Sequence, residues 1–85
     1  MTDKILKVIN SILSEQLNIN SAIRENTHIL EIGLDSIGIM ILLVYLENAF
    51  EMEIDIEPIF EKEYEAIQIS DIIDSVIRGI NHEKE

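Results

Sequence analysis

The stretch Gly33-Leu34-Asp35-Ser36-Ile37 stands directly ahead of the longest apolar run of the chain, residues 37–46. Short oxygen-bearing side chains accept hydrogen bonds from the unpaired N–H groups of a first helical turn, so the Asp-Ser pair predicts the start of a helix. Gly33 permits a tight turn into that helix. We therefore expect Ser36 to lie exposed at the positive end of a helix dipole, where backbone N–H groups favour a phosphate ester.

The same residues carry a resemblance to a known family. Asp-Ser-Ile after Gly-Leu, followed by an apolar helix that ends in Leu46-Glu47 and Phe50, resembles the acyl and peptidyl carrier proteins. The order of segments is similar too: amphipathic helix, long loop, Asp-Ser, apolar helix, short segment, amphipathic helix. The resemblance covers nearly the whole chain. It implies an all-α fold, a small four-helix bundle with a long first loop and a short third helix.

The resemblance also implies a chemistry. In that family the serine of an Asp-Ser-Leu or Asp-Ser-Ile motif carries a 4′-phosphopantetheine arm, attached by a phosphopantetheinyl transferase, and here that serine is Ser36. The arm would hold an acyl or aminoacyl group as a thioester, and the chain would contribute no catalytic residue. The charge of Asp35 repels a phosphate, so we expect this residue to serve transferase recognition. Loading and transfer enzymes would be the other partners.

Composition and charge exclude several other functions. A chain of 85 residues predicts one domain, 1–85. A net charge of −11 with six scattered basic residues argues against nucleic acid and anionic membranes. It favours basic protein partners, with the alternative that the acidic charge only keeps a small apolar chain soluble. The absence of cysteine and the wide separation of His28 and His82 argue against a metal site. The first residues show no signal-peptide pattern, and residues 37–46 are too few to cross a bilayer, which predicts a cytoplasmic protein. A monomer is expected.

Hydrophobic spacing predicts the first helix over residues 3–17, with Asp3 as its cap. Residues 18–35 form a long connection, of the kind that usually serves function. We expect a short helical turn around Ile23 and a locally packed or hydrogen-bonded His28. The apolar residues of this connection are expected to fix it to the core: Ile19, Ile23, Ile29, Leu30, Ile32 and Leu34.

Residues 36–50 form the predicted central helix, which is apolar on all sides. Its core face is expected to hold Leu42, Leu43, Leu46 and Phe50. A domain of this size cannot bury the other side easily, so an exposed apolar patch beside Ser36 is predicted as a protein contact. The alternative is that the loop 18–35 and the third helical segment cover this patch. The predicted partner-binding residues are Ile37, Met40, Ile41, Val44 and Glu47.

This helix also distinguishes the chain among carriers. Carriers of fatty acid synthesis resemble one another in acidic residues along it, whereas Gly38 and Ile41 stand here at positions that are often acidic. The resemblance therefore favours a freestanding carrier of a specialised pathway of the polyketide or nonribosomal-peptide kind. D-alanyl carriers of cell-wall polymers share the Asp-Ser-apolar-Gly pattern of residues 35–38 and a longer segment after Phe50. They and the fatty-acid carriers remain alternatives.

Residues 51–57 alternate acidic and apolar side chains, which predicts an extended loop that buries Ile54. A calcium loop does not fit, because Ile56 and Lys62 stand where glycine and glutamate are needed. Pro58 suits a first helical turn and predicts a third helix to about Tyr64, with its apolar residues Ile59, Phe60 and Tyr64 turned inward.

The last helix is predicted from an apolar stripe that runs from Ile69 to Ile80. Ser70 or Asp71 is expected as its cap. Its end is expected at Gly79 and Asn81, followed by a frayed tail, 82–85.

A serine hydrolase and a helical interaction module are the two alternatives without a prosthetic group. A serine hydrolase needs glycine two residues on either side of its nucleophile, and Leu34 stands on one side of Ser36. A helical interaction module would use Ser36 only as an N-cap. The resemblance over the whole chain favours the carrier above both.

Overall fold

The computed structural model describes residues 1–83, and its helices are α1 (Thr2–Leu17), α2 (Ser36–Phe50), α3 (Glu57–Phe60) and α4 (Ile69–Glu83). Short 3-10 helices, Ile29–Ile32 and Tyr64–Ala66, lie in the connections. The predicted all-α fold with a long first loop and a short third helix is confirmed over this range. Positions 84 and 85 of the predicted tail lie outside the described residues.

The core is formed where α1, α2 and α4 turn one face inward. Burial of each large aliphatic side chain contributes about 1.5–3 kcal/mol, so these faces are the main source of stability. The buried apolar side chains of the three helices are Ile5, Ile9, Ile12 and Leu13 of α1, Ile39, Leu42, Leu43 and Leu46 of α2, and Ile69, Ile72, Ile73 and Val76 of α4. Phe50, predicted for the core, is only half-buried.

The residues predicted as N-caps of the first and last helices lie inside those helices. α1 begins at Thr2, so Asp3 lies inside the first turn, where its charge still complements the helix dipole. α4 begins at Ile69, ahead of Ser70 and Asp71. Asp71 accepts a hydrogen bond from the backbone N–H of Gln68 at 2.8 Å. It therefore closes the turn from within the helix, as the third-position residue of a capping box does.

The long connection is fixed by backbone pairing with the entrance of α4. Ile29 donates to the carbonyl of Ile67 at 3.0 Å, and Ile69 donates to the carbonyl of Thr27 at 2.9 Å. His28 is hydrogen-bonded locally, as predicted, with Nδ1 3.2 Å from Glu31 Oε1. These bonds supply partners to backbone groups that a loop would otherwise leave to water.

The helical turn of this connection occurs at Ile29–Ile32, so the turn predicted at Ile23 was wrong. A 3-10 helix has three residues per turn, which places Ile29 and Ile32 on one face. Ile29 is fully buried and Ile32 half-buried, whereas Leu30 is 53% exposed. Leu30 was therefore wrongly expected to fix the loop.

The segment after α2 follows the prediction in its first half. Ile54 is buried, as expected, and residues 53–56 form no helix or strand. The backbone is already helical at Ile56, which has φ −83° and ψ −17° as the N-cap of α3, so the expected extended loop ends before this residue. The third helix stops at Phe60 rather than Tyr64. Ile59 is fully buried, and Phe60 is 40% exposed because neighbouring helical residues point about 100° apart. Tyr64 begins a separate 3-10 helix and is half-buried.

α4 continues through Gly79 and Asn81 to Glu83, so the predicted end of this helix was wrong. Gly79 serves packing instead. A Cβ added there would lie 2.3 Å from Sδ of Met52 and 2.7 Å from the carbonyl oxygen of Glu53. The glycine therefore lets α4 approach Met52 and Glu53, the residues that lead to the buried Ile54.

Candidate functional site

The predicted helix start is found where the sequence placed it. Ser36 is the first residue of α2, and Asp35 is its N-cap in an extended conformation. Asp35 Oδ1 accepts a hydrogen bond from the N–H of Gly38 at 2.7 Å, and the Asp35 carbonyl accepts from Ile39 at 2.9 Å. Asp35 thus satisfies a first-turn N–H group that would otherwise lack a partner.

The turn before Ser36 is held from two sides. Gly33 has φ 72°, a left-handed conformation that costs other residues about 1 kcal/mol, and it ends the 3-10 helix Ile29–Ile32. Leu34 is buried, and its N–H donates to the Ile29 carbonyl at 3.1 Å. The Tyr64 hydroxyl donates to the Leu34 carbonyl. The backbone that presents Ser36 is therefore held by the connection before α2 and by the one between α3 and α4.

Gly38 makes this turn possible by having no side chain. A Cβ there would lie 2.6 Å from Cδ1 of Leu34 and 3.2 Å from Oδ1 of Asp35. The glycine thus leaves room for the buried leucine and for the N-cap carboxylate. The Asp-Ser-apolar-Gly pattern has a packing cause in this chain.

The side chain of Ser36 is exposed. Among the hydrogen bonds of the described residues, none involves its hydroxyl or the backbone N–H groups of Ser36 and Ile37. Two free N–H groups at the positive end of a 15-residue helix favour a phosphate on the adjacent oxygen. The residues at this position therefore fit a phosphate ester. The nearby Asp35 carboxylate opposes it, but it is engaged by the Gly38 N–H.

An exposed apolar face of α2 begins beside Ser36. Ile37 is 70% exposed and Val44 is 50% exposed, and Met40 and Ile41 are exposed as well. Tyr45 extends this face and was missed. Its position four residues after Ile41 places it on the same helical face, a signal that was present in the sequence. The predicted exposure is thus observed, whereas a role in partner binding remains a prediction.

Glu47, the remaining predicted partner-binding residue, has a structural contact. It is half-buried, and its Oε2 accepts a hydrogen bond from the backbone N–H of Ile54 at 2.9 Å. Glu47 therefore helps to hold the segment around Ile54 against α2. No sequence pattern predicts this contact, because the two residues are seven positions apart and only Glu47 lies in a helix.

The observed capping by Asp35 and its predicted part in transferase recognition can be separated by substitution. Asp35→Ala removes the cap and should lower the free energy of unfolding by about 1 kcal/mol, whereas Asp35→Asn keeps the acceptor oxygen and should change it by only a few tenths. Urea denaturation of both variants measures this difference. Equal stabilities would contradict the capping role. Only the charge is lost in Asp35→Asn, so its rate of modification by a phosphopantetheinyl transferase tests recognition by itself.

Comparison with known proteins gives one family. A family model described as "Phosphopantetheine attachment site" matches residues 7–72. No curated protein and no solved structure matches the chain. Within residues 1–83, no helix combines the length and apolar character needed to cross a membrane. In the same range, no group of three or more His, Asp and Glu side chains is placed to hold a metal ion.

Proposed function

Because the chain belongs to the phosphopantetheine attachment site family, whose members carry 4′-phosphopantetheine covalently, we propose that Ser36 is the residue that bears this group. The observation that supports this choice is an exposed hydroxyl on the first residue of α2, beside two N–H groups without partners. These N–H groups and the helix dipole stabilise the phosphate after attachment. Asp35 holds the turn and contributes the charge that the transferase recognises.

The attached group supplies a terminal thiol on which acyl or aminoacyl groups are held as thioesters. The chain itself performs no catalysis and is a substrate of other enzymes. The serine-hydrolase alternative would need a base beside Ser36, and among residues 1–83 the Ser36 hydroxyl has no hydrogen bond to a histidine or a carboxylate. A nucleophilic serine requires such a base within about 2.6–3.2 Å.

Loading and transfer enzymes dock on the exposed face of α2. Ile37, Met40, Ile41 and Val44 form its apolar part next to Ser36. The acidic residues that give the net charge of −11 are concentrated elsewhere, with seven of the 17 in residues 51–65. Long-range attraction to basic partners therefore accelerates encounter, while apolar contact on α2 provides the affinity. Glu47 contributes at the edge of this surface through the oxygen that Ile54 does not use.

The pathway is inferred from this surface. α2 carries Glu47 as its sole charged residue, so a partner that depends on a row of acidic residues along this helix finds none. This supports a carrier of acyl or peptidyl intermediates in a specialised biosynthetic pathway over one of fatty acid synthesis. The Asp-Ser-apolar-Gly pattern gives no separate support to a D-alanyl carrier, since the space required by Leu34 and Asp35 accounts for Gly38.

The attachment is tested by mass. The purified protein is incubated with coenzyme A, magnesium and a broad-specificity phosphopantetheinyl transferase, and its intact mass is measured. We expect a gain of one phosphopantetheine, and peptide mapping should place it on Ser36 among the six serines of the chain. An unchanged mass, or a modified peptide that lacks Ser36, would overturn the proposal.

A further inference from the structure

A groove of about 710 Å³ runs along the outer side of α2, next to α1. Gln16 of α1 lines it, together with the α2 residues Ile37, Met40, Ile41, Val44, Tyr45 and Asn48. We call it the α1–α2 groove. No charged side chain lines it, although 27% of the residues of the chain are charged. Its occupant should therefore be neutral, largely apolar and able to form a few hydrogen bonds.

The groove begins at the residue after Ser36 and extends to Asn48. Asn48 lies twelve residues after Ser36 in α2, which is about 18 Å at 1.5 Å per residue. A 4′-phosphopantetheine arm has about fourteen bonds between the serine oxygen and its sulfur. At roughly 1.2 Å of rise per bond in an extended chain, it spans about 17 Å. The arm and the groove thus have the same length and start from the same point.

The chemistry of the two also agrees along this length. Beyond its phosphate the arm is uncharged, with a geminal dimethyl group near the phosphate and two amides further out. The apolar residues Ile37 and Met40 lie within about 6 Å of Ser36 along the helix axis, and Tyr45 lies about 13 Å away. The dimethyl group therefore meets aliphatic side chains, and the second amide, about 13 Å out at the same rise per bond, lies level with residue Tyr45 along the helix axis.

We propose that the phosphopantetheine arm rests in the α1–α2 groove when no partner is bound, an inference that rests on its attachment to Ser36. A short tether keeps the arm at an effective concentration in the millimolar range, so weak contacts suffice to hold it there. The resting arm covers the apolar face on which enzymes dock. A docking enzyme therefore displaces the arm from this face and makes it available to its own active site.

The proposal is tested by methyl NMR on protein labelled at its isoleucine, valine and methionine methyl groups. Spectra of the unmodified and the loaded protein are recorded with a soluble paramagnetic agent, after intact mass has shown complete loading. We expect the exposure of the Ile41 and Val44 methyl groups to the agent to fall by roughly half on loading, as for a tethered ligand in the millimolar range. Free pantetheine at equimolar concentration should leave the unmodified protein unchanged.

Ile56 provides the matched control, because it is exposed to the same degree as Ile41 but does not line the groove. Its methyl groups should be equally exposed before and after loading. Val44→Ser should abolish the protection of Ile41, and Ile56→Ser should leave it intact. A loaded protein whose groove methyl groups stay exposed would overturn this inference alone. A protein that gains no mass would overturn the proposed function and the resting arm together.

Discussion

Replacing Ser36 by alanine is expected to abolish loading with phosphopantetheine completely and to leave the bundle as stable as before. The N-cap of α2 is Asp35, and the Ser36 side chain is exposed at the first helical position. An exposed substitution of this kind changes the free energy of unfolding by no more than about 0.5 kcal/mol. Intact mass after treatment with transferase and coenzyme A measures the loading, and thermal melting measures the stability.

The matched control is Ser11→Ala, which removes an exposed hydroxyl in the middle of α1. This variant should gain the full mass of one phosphopantetheine at the rate of the unaltered protein. Loading of Ser36→Ala would show that the arm is attached elsewhere. A marked loss of stability in Ser36→Ala would show instead that the serine side chain contributes to the cap, contrary to its position after Asp35.

The long helices could be predicted from the sequence because each has apolar residues that recur at helical spacing over several turns. The stripe from Ile69 to Val76 is buried in α4. The division of α2 into a core face and an exposed face was correct for most residues, although Phe50 is only half-buried and the fully buried Ile39 was not predicted for the core. The start of α2 was also predictable, since an aspartate ahead of an apolar helix specifies a local hydrogen bond. Such signals are local, and no tertiary contact is needed to interpret them.

The errors occur where a tertiary contact decides the local structure. Gly79 was interpreted as a helix end because glycine commonly ends helices, but here it provides space for Met52 and Glu53. α3 has only four residues, too few for propensity to fix its length, and the burial of Ile59 determines which side faces inward. In each case the deciding neighbour is distant in sequence.

The site shows the same division. The exposure of Ser36 could be predicted from its position in the chain, whereas the hydrogen bonds that hold the surrounding backbone could not. The hydroxyl of Tyr64 reaches the Leu34 carbonyl from thirty residues away, and Glu47 is engaged by Ile54 across a connection. The α1–α2 groove likewise needs Gln16 to be placed beside α2, which no spacing in the sequence reveals.

The proposed docking of enzymes on the exposed apolar face of α2 is best tested by placing glutamate at two neighbouring positions of this helix. Val44 is 50% exposed and Leu43 is buried, so glutamate should have opposite effects at the two sites. Leu43→Glu buries an unpaired charge and should unfold the domain or destabilise it by more than about 4 kcal/mol. Val44→Glu should change the melting temperature little, because water solvates the new carboxylate.

The expected loss in Val44→Glu is functional. A charge placed on an apolar contact should lower the kcat/KM of loading by the transferase about tenfold, which corresponds to about 1.4 kcal/mol. The substrate in this assay is the unmodified protein, so the resting arm cannot contribute to the loss. An apolar contact should also keep this tenfold difference at high salt, because ions screen only the charged part of the attraction. If Val44→Glu and the unaltered protein are loaded at the same rate, the docking surface lies elsewhere. If Val44→Glu unfolds as Leu43→Glu does, Val44 belongs to the core.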